Sequence, residues 1–404
     1  MVSDSRGPAA ALLLLPPPPS FSLGPLKGIF EKPLADVIRK IVQSLDQPHQ
    51  IATLDVVLQV PGLLSASARP RALVFAPLQH YLSSIYTLIG AAAAAHKIDL
   101  DAPGGLDARV LFTGEQDSNA PAPRLGLGPV VDLESLVTSG RQWNHVFYLR
   151  TEMGSRLYHD FLHVRQNAGI DAPIQSHEVS TTTPQWPVSS TLLQAETSEA
   201  QDQRPHYSVC VGGTFDHLHL GHKLLLTALA LTLESPTDTD QGQERLLTIG
   251  VTGDALLKNK KYAEFLESWD ARYENTAAFL RSIMDFTPNN TPRIEQIHAP
   301  GPNGHVVVMQ VQPLLTFKFV EIWDPFGPTI TEEDLTALVV SKETASGGAA
   351  VNEERLKKGW QGLTIFEVDV LQTGEVADVT DVNNFESKIS STDIRRRRMN
   401  LAKV

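Results

Sequence analysis

Eleven consecutive residues concentrate the chemistry of this chain: Gly212-Gly213-Thr214-Phe215-Asp216-His217-Leu218-His219-Leu220-Gly221-His222. An apolar, strand-like run (207–211) precedes them and a leucine-rich, helix-like run (222–233) follows. Gly213 and Gly221 let backbone come close to a ligand. A helix starting near His222 offers free N–H groups and the positive end of its dipole to a phosphate. His219 and His222 are three residues apart and can face the same ligand at that helix entry. The combination suits a nucleoside triphosphate.

In-line transfer of a nucleotidyl group needs hydrogen-bond donors already placed around the α-phosphorus, where charge builds in the transition state. Imidazole N–H groups, the Thr214 hydroxyl and a lysine can supply them, and no activated serine or cysteine is required or evident. A second donor set is Ser390-Ser391-Thr392 followed by Arg395. At a helix start its hydroxyls and N–H groups suit the β- and γ-phosphates, with simple capping as the alternative. Asp254 and Asp324 could meet Mg²⁺ or cap turns. His217, His219 and His222 could be read as zinc ligands, but that reading leaves the Gly-Thr-Phe-Asp turn and the Ser-Ser-Thr run without a role.

The strand-turn-helix segment resembles the HxGH signature of the nucleotidylyltransferase superfamily. Four later segments resemble eukaryotic-type phosphopantetheine adenylyltransferases. They are Gly250-Val251-Thr252-Gly253-Asp254 with the lysine loop Lys258-Asn259-Lys260-Lys261; Asp324-Pro325-Phe326-Gly327-Pro328-Thr329; Val339-Val340-Ser341-Lys342-Glu343-Thr344 with Gly347-Gly348, Asn352 and Arg355; and Lys388-Ile389-Ser390-Ser391-Thr392-Asp393-Ile394-Arg395. The resemblance spans about residues 205–398.

That resemblance implies transfer of AMP from Mg²⁺-bound ATP to 4'-phosphopantetheine, giving dephospho-coenzyme A. His222, Thr214 and His219 would act at the α-phosphate, and Lys260 or Lys261 would reach the phosphates. Gly212, Gly213, Phe215, Asp216, Gly221, Ser390, Ser391, Thr392 and Arg395 would hold ATP. Thr252, Lys258, Ser341 and Arg355 would hold phosphopantetheine. Where relatives place a basic residue before the glycine pair this chain has Ala345-Ser346, so Arg355 or Lys342 becomes the expected phosphate anchor. Other nucleotidylyltransferases would share the signature but not the later segments together. A silent scaffold of the same fold would have been free to lose the signature. Animal relatives carry a fused dephospho-coenzyme A kinase; no G-x-x-x-x-G-K-[ST] loop occurs here, so a separate kinase is the expected partner.

The elements that must position these residues fall into two units. At 404 residues two domains are expected. Residues 1–20 read as a flexible terminus, 21–170 as an α/β domain of unassigned role, 171–204 as a Ser/Thr/Pro-rich linker, and 205–404 as a Rossmann-like domain with a parallel sheet. In the first unit helices are expected at 34–45, 81–96 and about 152–166, and strands at 51–60, 71–75, 109–112 and 145–149. In the second, a strand is expected at 246–251 and a helix at about 268–283. The net charge of −12 gives no electrostatic reason to bind nucleic acid or an anionic membrane, and Arg395 to Arg398 reads as a phosphate-facing or solvated helix end. The apolar run 9–15 is too short to span a bilayer and makes a poor signal peptide. One cysteine, Cys210, cannot form an internal disulfide, and a cytoplasmic setting is expected.

Overall fold

The computed structural model describes residues 9–100, 102–115, 126–189, 191–193, 204–236, 242–371 and 390–402. The first unit is a parallel sheet of β1 (Ala10–Leu15), β2 (Ala52–Gln59), β3 (Leu106–Thr113), β4 (His145–Leu149) and β5 (Gln175–Val179), in the order β3-β2-β1-β4-β5. Its helices are α1 (Leu23–Gln43), α2 (Phe75–Ala95), α3 (Leu133–Thr138) and α4 (Glu152–Asn167).

Three expectations change here. The apolar run within the supposed flexible terminus is the central strand, with Ala11 to Leu15 fully buried. A strand covered on both faces has no alternation, so it reads as a continuous apolar stretch; residues 1–8 lie outside the described residues. Residues 71–75 are not a strand. Arg71–Val74 is a 3₁₀ turn that runs into α2, and its apolar composition reflects burial rather than extension.

The supposed linker contains β5 and then a strap clipped onto α1. Pro33 lies inside α1 and has no N–H to give the Ile29 carbonyl four residues back. Thr181 Oγ1 donates to that carbonyl at 2.7 Å, Thr182 Oγ1 donates to the Gly28 carbonyl, and Trp186 Nε1 donates to Pro17 O at 2.8 Å. Residues 190 and 194–203 lie outside the described residues.

The second unit contains β6 (Ser208–Gly213), β7 (Arg245–Thr252), β8 (Arg293–His298), β9 (His305–Gln312), β10 (Leu315–Ile322), β11 (Ala337–Ser341) and β12 (Thr364–Val368). Its helices are α5 (Leu220–Thr232), α6 (Trp269–Met284), α7 (Ala345–Lys357) and α8 (Ser391–Ala402). The order is β12-β11-β6-β7-β10-β9-β8, in which β8 and β9 form an antiparallel hairpin on a parallel five. The parallel strands of both units therefore share the 3-2-1-4-5 order. In such sheets ligands bind beyond the carboxyl ends of the strands, where the order reverses. In the second unit that point lies between β6 and β11.

The units are packed together. Helix α2 is long and apolar enough to cross a membrane, but here it is largely buried, lying against α1 on one side and α5 on the other. The Arg71 N–H donates to Glu234 Oε2 at 2.8 Å, Phe75 meets Phe366 edge-on at 4.7 Å, and His80 Nδ1 lies 3.0 Å from Asp369 Oδ2. Gly128 N–H donates to Met284 O, and a Cβ on Gly128 would stand 1.9 Å from Ile283 O, so only glycine permits this approach.

Candidate functional site

Strand β6 ends in Gly212-Gly213, and the chain then turns through Thr214 to His219 before α5 begins. The turn is built under strain: Phe215 and His217 take left-handed backbone angles, φ 52° and 47°. The Phe215 ring is fully buried and folds back over Gly213, where a Cβ would lie 2.9 Å from the ring. Gly213 is thus needed for packing of the turn.

Asp216 has no exposed surface and forms a buried ion pair with Arg395 of α8. Its Oδ1 accepts from the Glu267 N–H at 2.9 Å, and its carbonyl accepts from Ser391 Oγ at 2.8 Å. Arg395 also donates from Nε to Lys261 O at 3.0 Å and from Nη2 to Thr392 Oγ1 at 3.2 Å. The signature turn, the lysine loop and the Ser-Ser-Thr helix start are therefore tied together through one guanidinium. This corrects the reading of Asp216 and Arg395 as direct ATP contacts: both are buried and face each other. Ser390 Oγ accepts the Asp393 N–H at 3.4 Å, a capping bond. Lys388 and Ile389 lie outside the described residues.

The His219 and His222 rings stack at 3.8 Å, 20° from parallel, with Phe215 5.5 Å from His222. Among the described residues neither Nδ1 has a hydrogen-bond partner. Burial pushes the His222 imidazole down to about 4, although the His217 main chain and Glu267 oppose it. Burial, then the neighbouring charges of His222, His217 and Lys223, hold His219 well below the usual histidine range. Both rings are neutral near pH 7, each with one N–H to donate and one nitrogen to accept.

The sign of the linked stability follows. Below the unfolded histidine value of 6.5 the unfolded chain takes up a proton at His222 that the folded chain refuses until about pH 4, so stability falls as pH falls through that window. His222→Gln, neutral throughout, should lose less stability than the unsubstituted chain between pH 6.5 and 4.5 in urea titrations. Equal losses would contradict this.

His217 is buried and serves the turn. Its N–H donates to Glu267 Oε2 and its Nε2 to the Phe265 carbonyl, each at 2.8 Å. The zinc alternative loses its ligand set: among the described residues the donors that converge within 4.8 Å are Asp216, His217 and Glu267, not the three histidines. Arg395 already balances Asp216 there.

Beyond the carboxyl ends of β6, β7 and β11 lies a cleft of about 450 Å³. Gly212, Gly213, Thr214, Thr252, Ser341 and Gly347 line it with Leu256, Trp323 and Phe326. Thr252 Oγ1 donates to Gly213 O at 3.2 Å, joining the two strand ends. Among the described residues no lysine or arginine lines the cleft. Its one charged lining residue, Asp324, accepts the Phe326 and Gly327 N–H groups at 2.8 Å and so caps a turn. The two histidines stand at the start of α5, outside the lining set. Lys258, Lys260 and Lys261 are exposed on the loop after β7.

Arg355 does not reach this cleft. It is 1% exposed, and its guanidinium donates to the carbonyls of Gln361, Thr329, Glu332, Glu333 and Leu335. Lys342 pairs with Asp369 at 2.5 Å. Neither is free to anchor a phosphate. Arg355→Lys should destabilise the fold by about 1–3 kcal/mol through stranded carbonyls, and leave the KM for any phosphorylated acceptor within about twofold. A rise in that KM at unchanged stability would restore Arg355 to the site.

Sequence reasoning missed Arg272 and Glu267. Arg272 is fully buried and donates to Thr214 O at 2.7 Å, Thr252 O at 2.8 Å, Glu267 O at 3.1 Å and Asp254 Oδ1 at 2.5 Å. It fixes the ends of β6 and β7 together and engages Asp254. Its signal was present: it occupies the apolar stripe of α6 with Trp269, Thr276 and Leu280, where an unpaired charge is not tolerated.

Residues 1–184 match a family described as a domain of unknown function, and residues 210–397 match the cytidylyltransferase-like family. The chain is 38% identical over 192 residues to an uncharacterised protein of Schizosaccharomyces pombe, covering 48% of each chain. It is 31% identical over 204 residues to the phosphopantetheine adenylyltransferase of Saccharomyces cerevisiae, covering 50% of this chain and 52% of that one. It is 29% identical over 190 residues to the phosphopantetheine adenylyltransferase of Pyrobaculum aerophilum, covering 47% of this chain and 90% of that one. The chain thus spans about half the length of the two yeast relatives. Residues 210–397 are thus similar to the cytidylyltransferase-like family.

Proposed function

We propose that this chain transfers the AMP portion of ATP to 4'-phosphopantetheine, releasing pyrophosphate and forming dephospho-coenzyme A. The observation that carries the reading is the pairing of a cleft lined by no lysine or arginine among the described residues with a neutral histidine pair and an exposed lysine loop. The cleft suits the amide and alkyl arm of pantetheine, whose body is neutral. The phosphate would lie toward the start of α5, where the α-phosphate of ATP is also expected.

The phosphate oxygen of the acceptor attacks the α-phosphorus in line, one P–O bond forms, the bond to the β-phosphate oxygen breaks, and pyrophosphate leaves. His222 and Thr214 donate to the α-phosphate oxygens as charge builds, with His219 stacked behind. Lys260 or Lys261 neutralises the leaving phosphates, helped by N–H groups at the start of α8. Lys258, exposed on the lysine loop, remains the candidate for the acceptor phosphate, since Arg355 and Lys342 are engaged elsewhere. Mg²⁺ bound with ATP would offset charge on the departing pyrophosphate; of the two carboxylates considered for it, Asp254 is bonded to Arg272 and Asp324 caps its turn.

Pyrophosphate release should be measured with Mg²⁺ and ATP plus phosphopantetheine, ATP plus nicotinamide mononucleotide, and CTP plus phosphocholine. Release with phosphopantetheine alone is expected. Release with another acceptor keeps the mechanism and replaces the substrate, and release with none points to a scaffold. A separate dephospho-coenzyme A kinase would complete the cofactor, and co-purification of the two at micromolar concentration would test that partnership.

A further inference from the structure

Besides the packing of α2 along α5, the first unit reaches the first turn of the helix that carries the histidines through an ion pair. Lys223 directly follows His222 in the first turn of α5 and is 4% exposed. Its Nζ lies 2.5 Å from Asp107 Oδ1 and 3.5 Å from Ala108 O, both on β3 of the first unit. On the other side its ammonium stands 5.7 Å from the centre of the Phe279 ring of α6. Arg109 holds the second carboxylate oxygen, with Nε at 3.1 Å and Nη2 at 2.8 Å. Burial alone would raise the Asp107 carboxyl, but Lys223 and Arg109 hold it at about 2, so it stays ionised. The pair borders a cleft of about 370 Å³ between the units, which Leu218 and His217 of the signature turn also line.

Successive residues on a helix point about 100° apart. A lysine pulled toward the first unit therefore fixes how the preceding His222 is rotated, and the stacked His219 ring moves with it. The second unit grips the other end of the same turn through Glu267 and Arg395. Without Asp107 the first unit keeps only the long 3.5 Å contact from Lys223 to Ala108 O at this turn, and the buried ammonium of Lys223 loses its ion-pair partner.

We propose that Asp107 is a positioning residue for nucleotidyl transfer, holding the first turn of α5 so that His222 and His219 meet the α-phosphate, and that the first unit is therefore part of the catalytic device. The proposal rests on the functional reading above. In-line attack tolerates little misplacement, of the order of 1 Å for a hundredfold loss.

The test is steady-state kinetics on the full chain. Asp107→Asn should lower kcat at least about tenfold with KM for ATP and for the acceptor within about twofold, and Asp107→Glu should recover most of the loss. Should Asp107→Asn fail to fold, Lys223→Gln tests the contact from the other side with the same expectation. Unaltered kcat, or a loss that Asp107→Glu does not recover, would overturn the positioning role.

The imidazole resonances of His219 and His222 give a readout that needs no turnover. They should shift or broaden in Asp107→Asn, and unchanged resonances would overturn the proposal even if the unsubstituted chain proved inactive. Inactivity of the unsubstituted chain with phosphopantetheine would instead defeat the functional reading, so the two failures are separate.

Discussion

Replacing His222 by alanine should lower kcat by roughly 10²–10³ and leave KM for ATP within about threefold, because a preplaced donor acts mainly on charge that appears in the transition state. The neutral form expected near pH 7 fits this role: a donor that is already uncharged does not bind the ground-state triphosphate through a full charge. The ring is held by stacking on His219 and by Phe215, so its removal leaves a gap beside the ligand and not a stranded ion. Parallel kinetics of Thr214→Ala would show whether the hydroxyl shares the load. An unchanged kcat in His222→Ala would remove this residue from the mechanism.

Arg395→Ala should destabilise the chain by about 3–5 kcal/mol in urea unfolding, since it leaves the fully buried Asp216 carboxylate without its partner. The double replacement of Asp216 and Arg395 by alanine should cost less than the two single losses added, as expected for residues that act on one another. A direct phosphate contact would give a different result: near-normal stability and a raised KM for ATP. Because Arg395 also holds the Lys261 carbonyl and Thr392, its loss should loosen the lysine loop. Limited proteolysis between residues 258 and 266 would detect that.

The signature turn was legible in the sequence because strand, turn and helix are contiguous, and their chemistry follows from local spacing. What arrives from a distance was not. Asp107, Glu267 and Arg272 carry no motif of their own, and their importance appears only when β3 and α6 are packed beside the turn. Arginine was the residue type most easily misread. Arg355 and Arg395 look like phosphate ligands in a chain, yet each spends its donors inside the protein, and only burial distinguishes the two uses.

In the first unit the alternation of α and β patches was visible, while β1 was not, because a central parallel strand and a short leader look alike. The strap around Thr181, Thr182 and Trp186 was hidden for the opposite reason. Its composition is that of a linker, and its order comes from a carbonyl that Pro33 frees on another element.

The most direct measurement is transfer of label from ATP carrying ³²P at the α-position, incubated with Mg²⁺, 4'-phosphopantetheine and the full chain. Label in dephospho-coenzyme A, with unlabelled pyrophosphate released in equal amount, is the predicted result. Label retained on the protein, or no labelled product while the chain remains folded, would contradict direct in-line adenylyl transfer by this site.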